Sequence, residues 1–158
     1  MVKRKKSAAS SGPPAQNDRR FRHILVPTDL TERTAKALQL ATRLASSDRA
    51  RITLLHVIET IDGVQFDELK PFYERMERKA RITMTALTPR AAEGAVRAEG
   101  AVVYGRRAEE IVTYATANGV DLIVLASHRV NPSMVNRDWG TISYKVGILA
   151  QCPVLLVK

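Results

Sequence analysis

The chain has 158 residues, 45% of them hydrophobic and 26% charged, so it is long enough to bury the core of one ordinary domain. It has no apolar run near ~18 residues, which argues against a membrane-spanning helix, and no apolar segment follows its basic N-terminus, which argues against a secretory signal. The single cysteine, Cys152, excludes an internal disulfide and is typical of a reducing cytosol, so we expect a soluble cytoplasmic protein.

The formal net charge of +9 is unevenly distributed along the chain. Residues 1–20 carry six cations and one acid, a net +5, which leaves +4 of the +9 for the rest of the chain. This segment is rich in Lys, Ser, Ala, Gly and Pro and cannot offset its ordering entropy, so we expect a disordered basic tail. The four clustered cations at residues 3–6 lie near no aromatic residue, which favours a solvated tail over a nucleic-acid-binding arm.

The first elements after the tail are two strands separated by a helix. His23–Val26 is a short apolar run that ends at a proline, as in a strand buried on both faces. Apolar residues then recur at helical spacing over residues 32–46, with Asp29 or Thr31 as the candidate N-cap. Ile52–Val57 gives the second strand, at the spacing expected of a βαβ unit.

A longer helix and a third strand follow. Apolar spacing and a proline in the first turn predict a helix that starts near Lys70, and Pro89 and Gly94 mark its exit. Val96–Val103 reads as the third strand, with a predicted bulge at Glu99–Gly100.

The last part of the chain contains two more helix–strand pairs. Apolar spacing predicts a helix over residues 108–115, and Gly119 is its expected C-terminal cap. The fourth strand is Leu122–Leu125, a short helix opens after Gly140-Thr141, and the closing strand is 153–157. This alternation predicts an α/β fold, a Rossmann-like open five-stranded parallel sheet with helices on both faces, as a single domain over residues 21–158.

Several motifs, taken together and in this order, resemble the universal stress protein family. They are HILVPTD, ITLLHVIE, GRRAEEIVTYATANGVDLIVLASH and GTISYKVGILAQCPVLLVK. The resemblance covers residues 21–158 and implies a domain of the adenine nucleotide alpha hydrolase type. It also implies a homodimer that pairs through the C-terminal strand 153–157. Some members bind ATP through a loop of the form Gly-x2-Gly-x9-Gly-Ser/Thr.

The resemblance assigns a nucleotide role to individual positions. The acid after the first strand meets the ribose in nucleotide-binding members, the residue ending the second strand lines the adenine pocket, and the terminal Gly-Ser/Thr cradles phosphates. The matching residues here are Pro27, Thr28 and Asp29, then Val57, then Gly140 and Thr141.

The front half of the phosphate loop departs from the family pattern. Ala126 or Ser127 stands where the family has its first glycine, and Arg129 or Val130 replaces the second. Glycines allow positive φ and let backbone approach phosphate oxygens, so their loss weakens a backbone cradle. Either nucleotide binding is lost, or side chains such as the Arg129 guanidinium replace the backbone donors.

These observations predict a non-catalytic, dimeric stress-response or regulatory module with an adenine-nucleotide (ATP) site whose glycine loop is degenerate. The alternative is a nucleotide-independent module that binds other proteins, of unknown identity. A weak nucleotide hydrolase ranks below both, because no general base beyond Asp29 is positioned. The three histidines are scattered and predict no metal site, and we expect no membrane partner.

Overall fold

The computed structural model describes residues 21–92, 96–128 and 141–158, and within these ranges strands and helices alternate as predicted. The strands are β1 (His23–Pro27), β2 (Arg51–Glu59), β3 (Arg97–Gly105), β4 (Leu122–Ala126) and β5 (Val154–Val157). The helices are α1 (Thr34–Asp48), α2 (Lys70–Ala91), α3 (Arg107–Ala117) and α4 (Ile142–Leu149), and a short 3-10 helix at Phe66–Leu69 leads into α2.

The five strands form one parallel sheet in the order β3-β2-β1-β4-β5. β1 pairs with β2 on one side and with β4 on the other, so the strand order reverses beside β1. In sheets of this kind the carboxyl ends of the strands open a crevice at the reversal point. The predicted fold class is confirmed, and the crevice is where the candidate site residues belong.

The core consists of two apolar layers, one on each face of the sheet. Ile24 and Val26 of β1 belong to the layer beneath α1 and α2, while Leu25 belongs to the layer beneath α3 and α4. Both faces are covered, which is why β1 and β4 read as continuous apolar runs instead of alternating ones.

The C-terminal cap of α3 forms as predicted. Gly119 adopts a left-handed conformation with φ of +63°. Its N–H donates to the Thr116 carbonyl, and the Val120 N–H donates to the Ala115 carbonyl at 2.9 Å. This pair of bonds is a Schellman motif, which satisfies the last carbonyls of the helix and turns the chain into β4.

The predicted N-cap of α1 is wrong. Arg33 occupies the N-cap position of α1, and no side chain caps it. Asp29 and Thr31 instead form a turn just before the helix, in which the Thr31 hydroxyl accepts the Arg33 N–H at 3.3 Å.

The observed exit of α2 lies close to the predicted one. The helix ends at Ala91, just after Pro89, and Gly94, the other predicted exit residue, lies outside the described residues. A proline in the last turn keeps a helical φ and removes only one backbone hydrogen bond, so the helix can extend past it.

The predicted bulge in β3 is also wrong. The register between β2 and β3 is continuous from the Arg51–Arg97 pair to the Glu59–Gly105 pair. Gly100 instead makes room for α2, since a Cβ atom there would lie 3.1 Å from the Cε of Met84. Close approach of a helix, and not an extra strand residue, explains this glycine.

Candidate functional site

The turn after β1 forms the first wall of the crevice. Pro27 and Thr28 are both buried, and the Thr28 N–H donates to the Leu55 carbonyl of β2 at 2.8 Å. The Thr28 hydroxyl accepts the Leu30 N–H at 2.9 Å and lies 3.0 Å from the Thr34 hydroxyl. Leu30 has a φ of +62°, which is strained for a side chain of this kind. The turn is therefore held rigidly between β2 and the start of α1.

This turn carries Asp29, whose side chain is exposed to the crevice. Its Oδ1 atom accepts the Thr31 hydroxyl at 2.6 Å and the Thr31 N–H at 3.0 Å. Partial burial raises the pKa of Asp29, but these bonds and the Arg33 cation outweigh it, so the pKa lies below its ordinary 3.8. The carboxylate is ionised at neutral pH and is oriented to accept hydrogen bonds from ligand hydroxyls.

The end of β2 forms the floor of the crevice. Val57, predicted to line an adenine pocket, is buried and borders the crevice. Its neighbour His56 also lines the crevice, and its Nδ1 atom lies 2.9 Å from the Thr28 carbonyl. A carbonyl only accepts, so Nδ1 is the donor of this hydrogen bond. The sequence placed the end of this strand at the site but assigned a ligand contact only to Val57.

The end of β4 and the start of α4 form the opposite wall. Ala126 and Ser127 line the crevice, and the Ser127 N–H donates to the Val157 carbonyl at 2.8 Å. Thr141 is the N-cap of α4, where its hydroxyl accepts the Tyr144 N–H at 3.3 Å. The predicted helix start is therefore confirmed, and the positive end of the helix dipole borders the crevice. Arg129 and Gly140, which the sequence also places here, lie outside the described residues.

Together the two walls and the floor enclose a cleft of about 1010 Å³ at the point where the strand order of the sheet reverses. All the predicted site residues that belong to the described part of the chain line this cleft. They are Pro27, Thr28, Asp29, Val57, Ala126, Ser127 and Thr141. A cleft of this size accommodates a nucleotide, since ligand pockets typically measure ~300–1,000 Å³.

The charges around the cleft include several cations that the sequence did not single out. Arg33 and Lys36 at the start of α1 and Lys158 after β5 line it, together with the acids Asp29 and Glu32. Arg107 also lines it but forms an ion pair with Glu59 at 3.1 Å. No motif marked these residues, because they come from three separate elements that only the sheet brings together.

The cleft shows no metal-binding constellation within the described ranges. No group of three His, Cys, Asp or Glu side chains there is placed to hold a metal ion. Cys152 packs beside the α3–α4 layer, and burial raises the pKa of its thiol, which disfavours the reactive thiolate. The arrangement can bind and orient a ligand through hydrogen bonds, apolar contacts and charge.

Comparisons with known proteins agree with the observed fold. A family model described as the universal stress protein family matches residues 20–158. The universal stress protein YxiE of Bacillus subtilis is 30% identical over 151 residues, covering 87% of this chain and 99% of the relative.

Solved structures give the same result for the fold. Universal stress protein UspA from Lactobacillus plantarum has a TM-score of 0.71 and 25% identity, over 88% of this chain and 99% of that one. A universal stress protein from Archaeoglobus fulgidus, solved in complex with dAMP, has a TM-score of 0.64 and 15% identity, over 88% and 99% of the two chains.

Proposed function

The chain belongs to the universal stress protein family, and we propose that it is a non-catalytic, dimeric regulatory module that binds an adenine nucleotide in the cleft at the carboxyl end of its sheet. The observation that carries this proposal is the position of the Asp29 carboxylate on one wall and the Thr141-capped helix start on the other. We take the cytoplasm as its location, because its single cysteine suits a reducing compartment.

The cleft offers a separate environment for each part of a nucleotide. The Asp29 carboxylate is ionised and suits ribose hydroxyls, which donate hydrogen bonds. Val57 and Leu125 provide an apolar surface for a base. The N-terminus of α4 favours phosphate, because the helix dipole and backbone N–H groups attract anions there. The dAMP complex of the Archaeoglobus protein supports this reading at the level of the shared fold.

Replacement of the loop glycines makes side-chain cations the best candidates to hold the phosphates. Arg33, Lys36 and Lys158 line the cleft, and Arg129 follows His128 in the sequence. Lysine and arginine donate charge-assisted hydrogen bonds worth about 1.5–3 kcal/mol each. One or two such bonds would compensate for the backbone donors that the missing glycines would have allowed.

Calorimetric titration with ATP, ADP and AMP tests the nucleotide site directly. We expect measurable heat for at least one of them, with a dissociation constant below about 1 mM. No heat at millimolar concentrations of all three would reject nucleotide binding and favour the alternative, a nucleotide-independent module that binds other proteins. That alternative predicts that Gly140→Arg leaves both dimerisation and the free energy of unfolding nearly unchanged.

The proposed dimer uses β5 and the adjoining helix α4. β5 is an edge strand, and edge strands expose unpaired backbone groups that another strand can cover. Large apolar side chains are exposed beside it, as expected of a surface that is covered in a dimer. They are Tyr144, Ile148, Leu149, Leu155 and Leu156.

Sedimentation velocity tests this assembly. We expect the unmodified chain to sediment as a dimer and Leu155→Lys to sediment as a monomer, because a charge at the strand pairing would be desolvated. A monomeric unmodified chain would contradict the proposed dimer without bearing on the nucleotide site.

A further inference from the structure

Large hydrophobic side chains are exposed on two separate surfaces of the described chain. One is the α4–β5 surface, which the proposed dimer covers. The other lies on α2 and the segment that precedes it, at the opposite edge of the sheet, where α2 packs against β2 and β3. Its members are Ile61, Val64, Phe66, Phe72, Met76 and Ile82. Neither the nucleotide cleft nor the dimer accounts for this second surface.

Helical geometry places part of this surface on a single stripe of α2. At about 100° per residue, eight side chains fall within an arc of about 120° that lies away from the buried Tyr73, Ala80 and Met84. We name this set the outer stripe; it comprises Phe72, Arg75, Met76, Lys79, Ile82, Thr83, Ala86 and Arg90. Phe72 and Met76 are each 40% exposed and Ile82 is 74% exposed, so the stripe combines apolar groups with cations.

The charge of the folded domain is concentrated in this helix. α2 contains six Lys or Arg and two Glu, a net +4, which equals the net charge of residues 21–158. Both acids lie off the outer stripe. The Glu77 carboxylate forms an ion pair with Arg81 at 2.6 Å and accepts a hydrogen bond from the Tyr104 hydroxyl. Among the described residues, none of the three stripe cations forms an ion pair.

We propose that the outer stripe of α2 binds the surface of an anionic lipid bilayer. Exposed Phe, Met and Ile side chains insert at the headgroup boundary, while Arg and Lys extend to the anionic headgroups. α2 has 22 residues and is therefore about 33 Å long, so the stripe presents an extended contact surface. No helix in the described ranges is long and apolar enough to cross a bilayer, so the contact is peripheral.

The charge pattern distinguishes this partner from two others. A two-fold pairing of one stripe with its copy would set Arg75 and Lys79 against like charges, which is unfavourable. Nucleic acid would satisfy the cations but would cover Ile82 and Met76 with phosphates and give them no apolar contact. A bilayer satisfies both kinds of group.

This inference replaces the expectation of no membrane partner, which rested on the absence of a spanning segment alone. The basic tail, residues 1–20, adds a second cationic element of net +5 in the same chain. Stable attachment to a membrane surface usually requires two signals, and a polybasic segment is one of them. The proposal is independent of nucleotide binding and of dimerisation.

Co-sedimentation with vesicles tests the proposal on the full chain. Vesicles of phosphatidylcholine with about 30% phosphatidylglycerol should bind the protein, and pure phosphatidylcholine vesicles should not. The double substitution Arg75→Gln/Lys79→Gln should lower the partition coefficient about 30-fold, since each cation near an anionic surface contributes about fivefold. Ile82→Ser, at an exposed position that leaves the core intact, should lower it about tenfold.

A matched control removes the same charge from a different helix face. Arg43→Gln/Arg49→Gln on the outside of α1 should change partitioning less than about threefold. An equal loss in this control, no binding to anionic vesicles, or insensitivity to Ile82→Ser would each overturn the proposal. Binding that disappears when residues 1–20 are deleted, yet survives Arg75→Gln/Lys79→Gln, would also overturn it, because the tail would then carry the contact. Another outcome is that the protein binds a DNA duplex or polyglutamate through Arg75 and Lys79 and fails to bind vesicles. That result would reassign the stripe to the partner that binds.

Discussion

The two ends of the sheet use the same kinds of residue for different purposes, as their histidines illustrate. At the amino end, His23 is buried, its Nε2 lies 2.8 Å from the Thr53 hydroxyl, and its Nδ1 lies 2.9 Å from the Arg51 guanidinium. At the carboxyl end, His56 lines the cleft and bonds the protein through Nδ1 alone, among the partners that the described residues provide. At the amino end the polar groups pair with each other, whereas at the carboxyl end the His56 Nε2 and Asp29 Oδ2 atoms have no hydrogen-bond partner among the described residues.

The connections at the two ends explain this difference. At the amino end the turn between α1 and β2 is only Arg49–Ala50, and the Asp121 carboxylate accepts the backbone N–H groups of Arg22 and His23. At the carboxyl end, by contrast, the connections after β1, β2 and β4 are long. Short turns bring polar groups close enough to pair with each other, whereas long loops diverge and enclose a cleft. We therefore expect substitutions at the amino end to change stability and those at the carboxyl end to change binding.

The largest expected effect is at the carboxyl end, on nucleotide affinity. Asp29→Asn keeps an oxygen that accepts from Thr31 but removes the charge, so the turn should persist. We expect nucleotide binding to weaken about 10- to 150-fold, the loss of one charge-assisted hydrogen bond, with an unchanged free energy of unfolding. Glu32→Gln, an acid on the same loop, is the calorimetric control and should change affinity less than about threefold. Equal effects of the two substitutions would remove Asp29 from the binding site.

The next effect is at the amino end, on stability. Thr53→Val removes a fully buried hydroxyl that contacts His23 Nε2 and donates to the Glu99 carboxylate at 3.0 Å. We expect the free energy of unfolding to fall by about 1–3 kcal/mol, because His23 is left buried without this partner. Urea denaturation measures the loss.

Thr85→Val is the matched control for this substitution. The Thr85 hydroxyl donates to the Arg81 carbonyl of its own helix and is exposed, so the change should stay within about 0.5 kcal/mol. A larger loss at position 85 than at position 53 would contradict the assignment of the buried network to stability.

The amino-end network should also make stability depend on pH. Burial lowers the pKa of His23 below its ordinary 6.5, and the nearby Arg51 cation acts in the same direction, against the Asn118 carbonyl, Glu99 and Asp121. The unfolded chain therefore binds a proton more readily than the folded chain. Stability is fully present above pH 6.5, falls as the pH drops towards the lowered pKa, and levels off below it. Denaturation midpoints measured across this pH range should show the fall in stability. His23→Gln should flatten this pH dependence, and an unchanged slope in that variant would exclude His23 as its cause.

The smallest effect concerns the backbone of the amino-end turn. Arg49 has a φ of +57° at the end of α1, a left-handed conformation that glycine adopts at no steric cost. We expect Arg49→Gly to raise the free energy of unfolding by about 0.5–1 kcal/mol without changing nucleotide affinity. Arg43→Gly, within the same helix, should lower it by about 1 kcal/mol. Thermal denaturation of both variants measures these changes. A stability change of the same sign in both variants would contradict backbone strain at position 49.

Much of the fold could be read from local patterns in the sequence. The apolar runs of β1, β2 and β4 and the helical spacing in α1, α2 and α3 each depend on a short stretch of chain. The wrong N-cap of α1 and the false bulge at Glu99–Gly100 have a common cause. Asp29, Thr31 and Gly100 each suggest a local structure that a distant contact or a following residue overrides.

The sequence by itself determined the family, the order of the elements and the predicted residues that line the cleft, because these rest on motifs and on the rule that places ligands at strand ends. Only the tertiary structure showed that Arg33 and Lys36 line this cleft, since no motif marks them. It alone also paired His23 with Thr53 and left three of the six cations of α2 exposed on one stripe. The reason is physical: spacing fixes the face of an element on which a side chain lies, but packing decides whether that face meets the core, a neighbour or solvent.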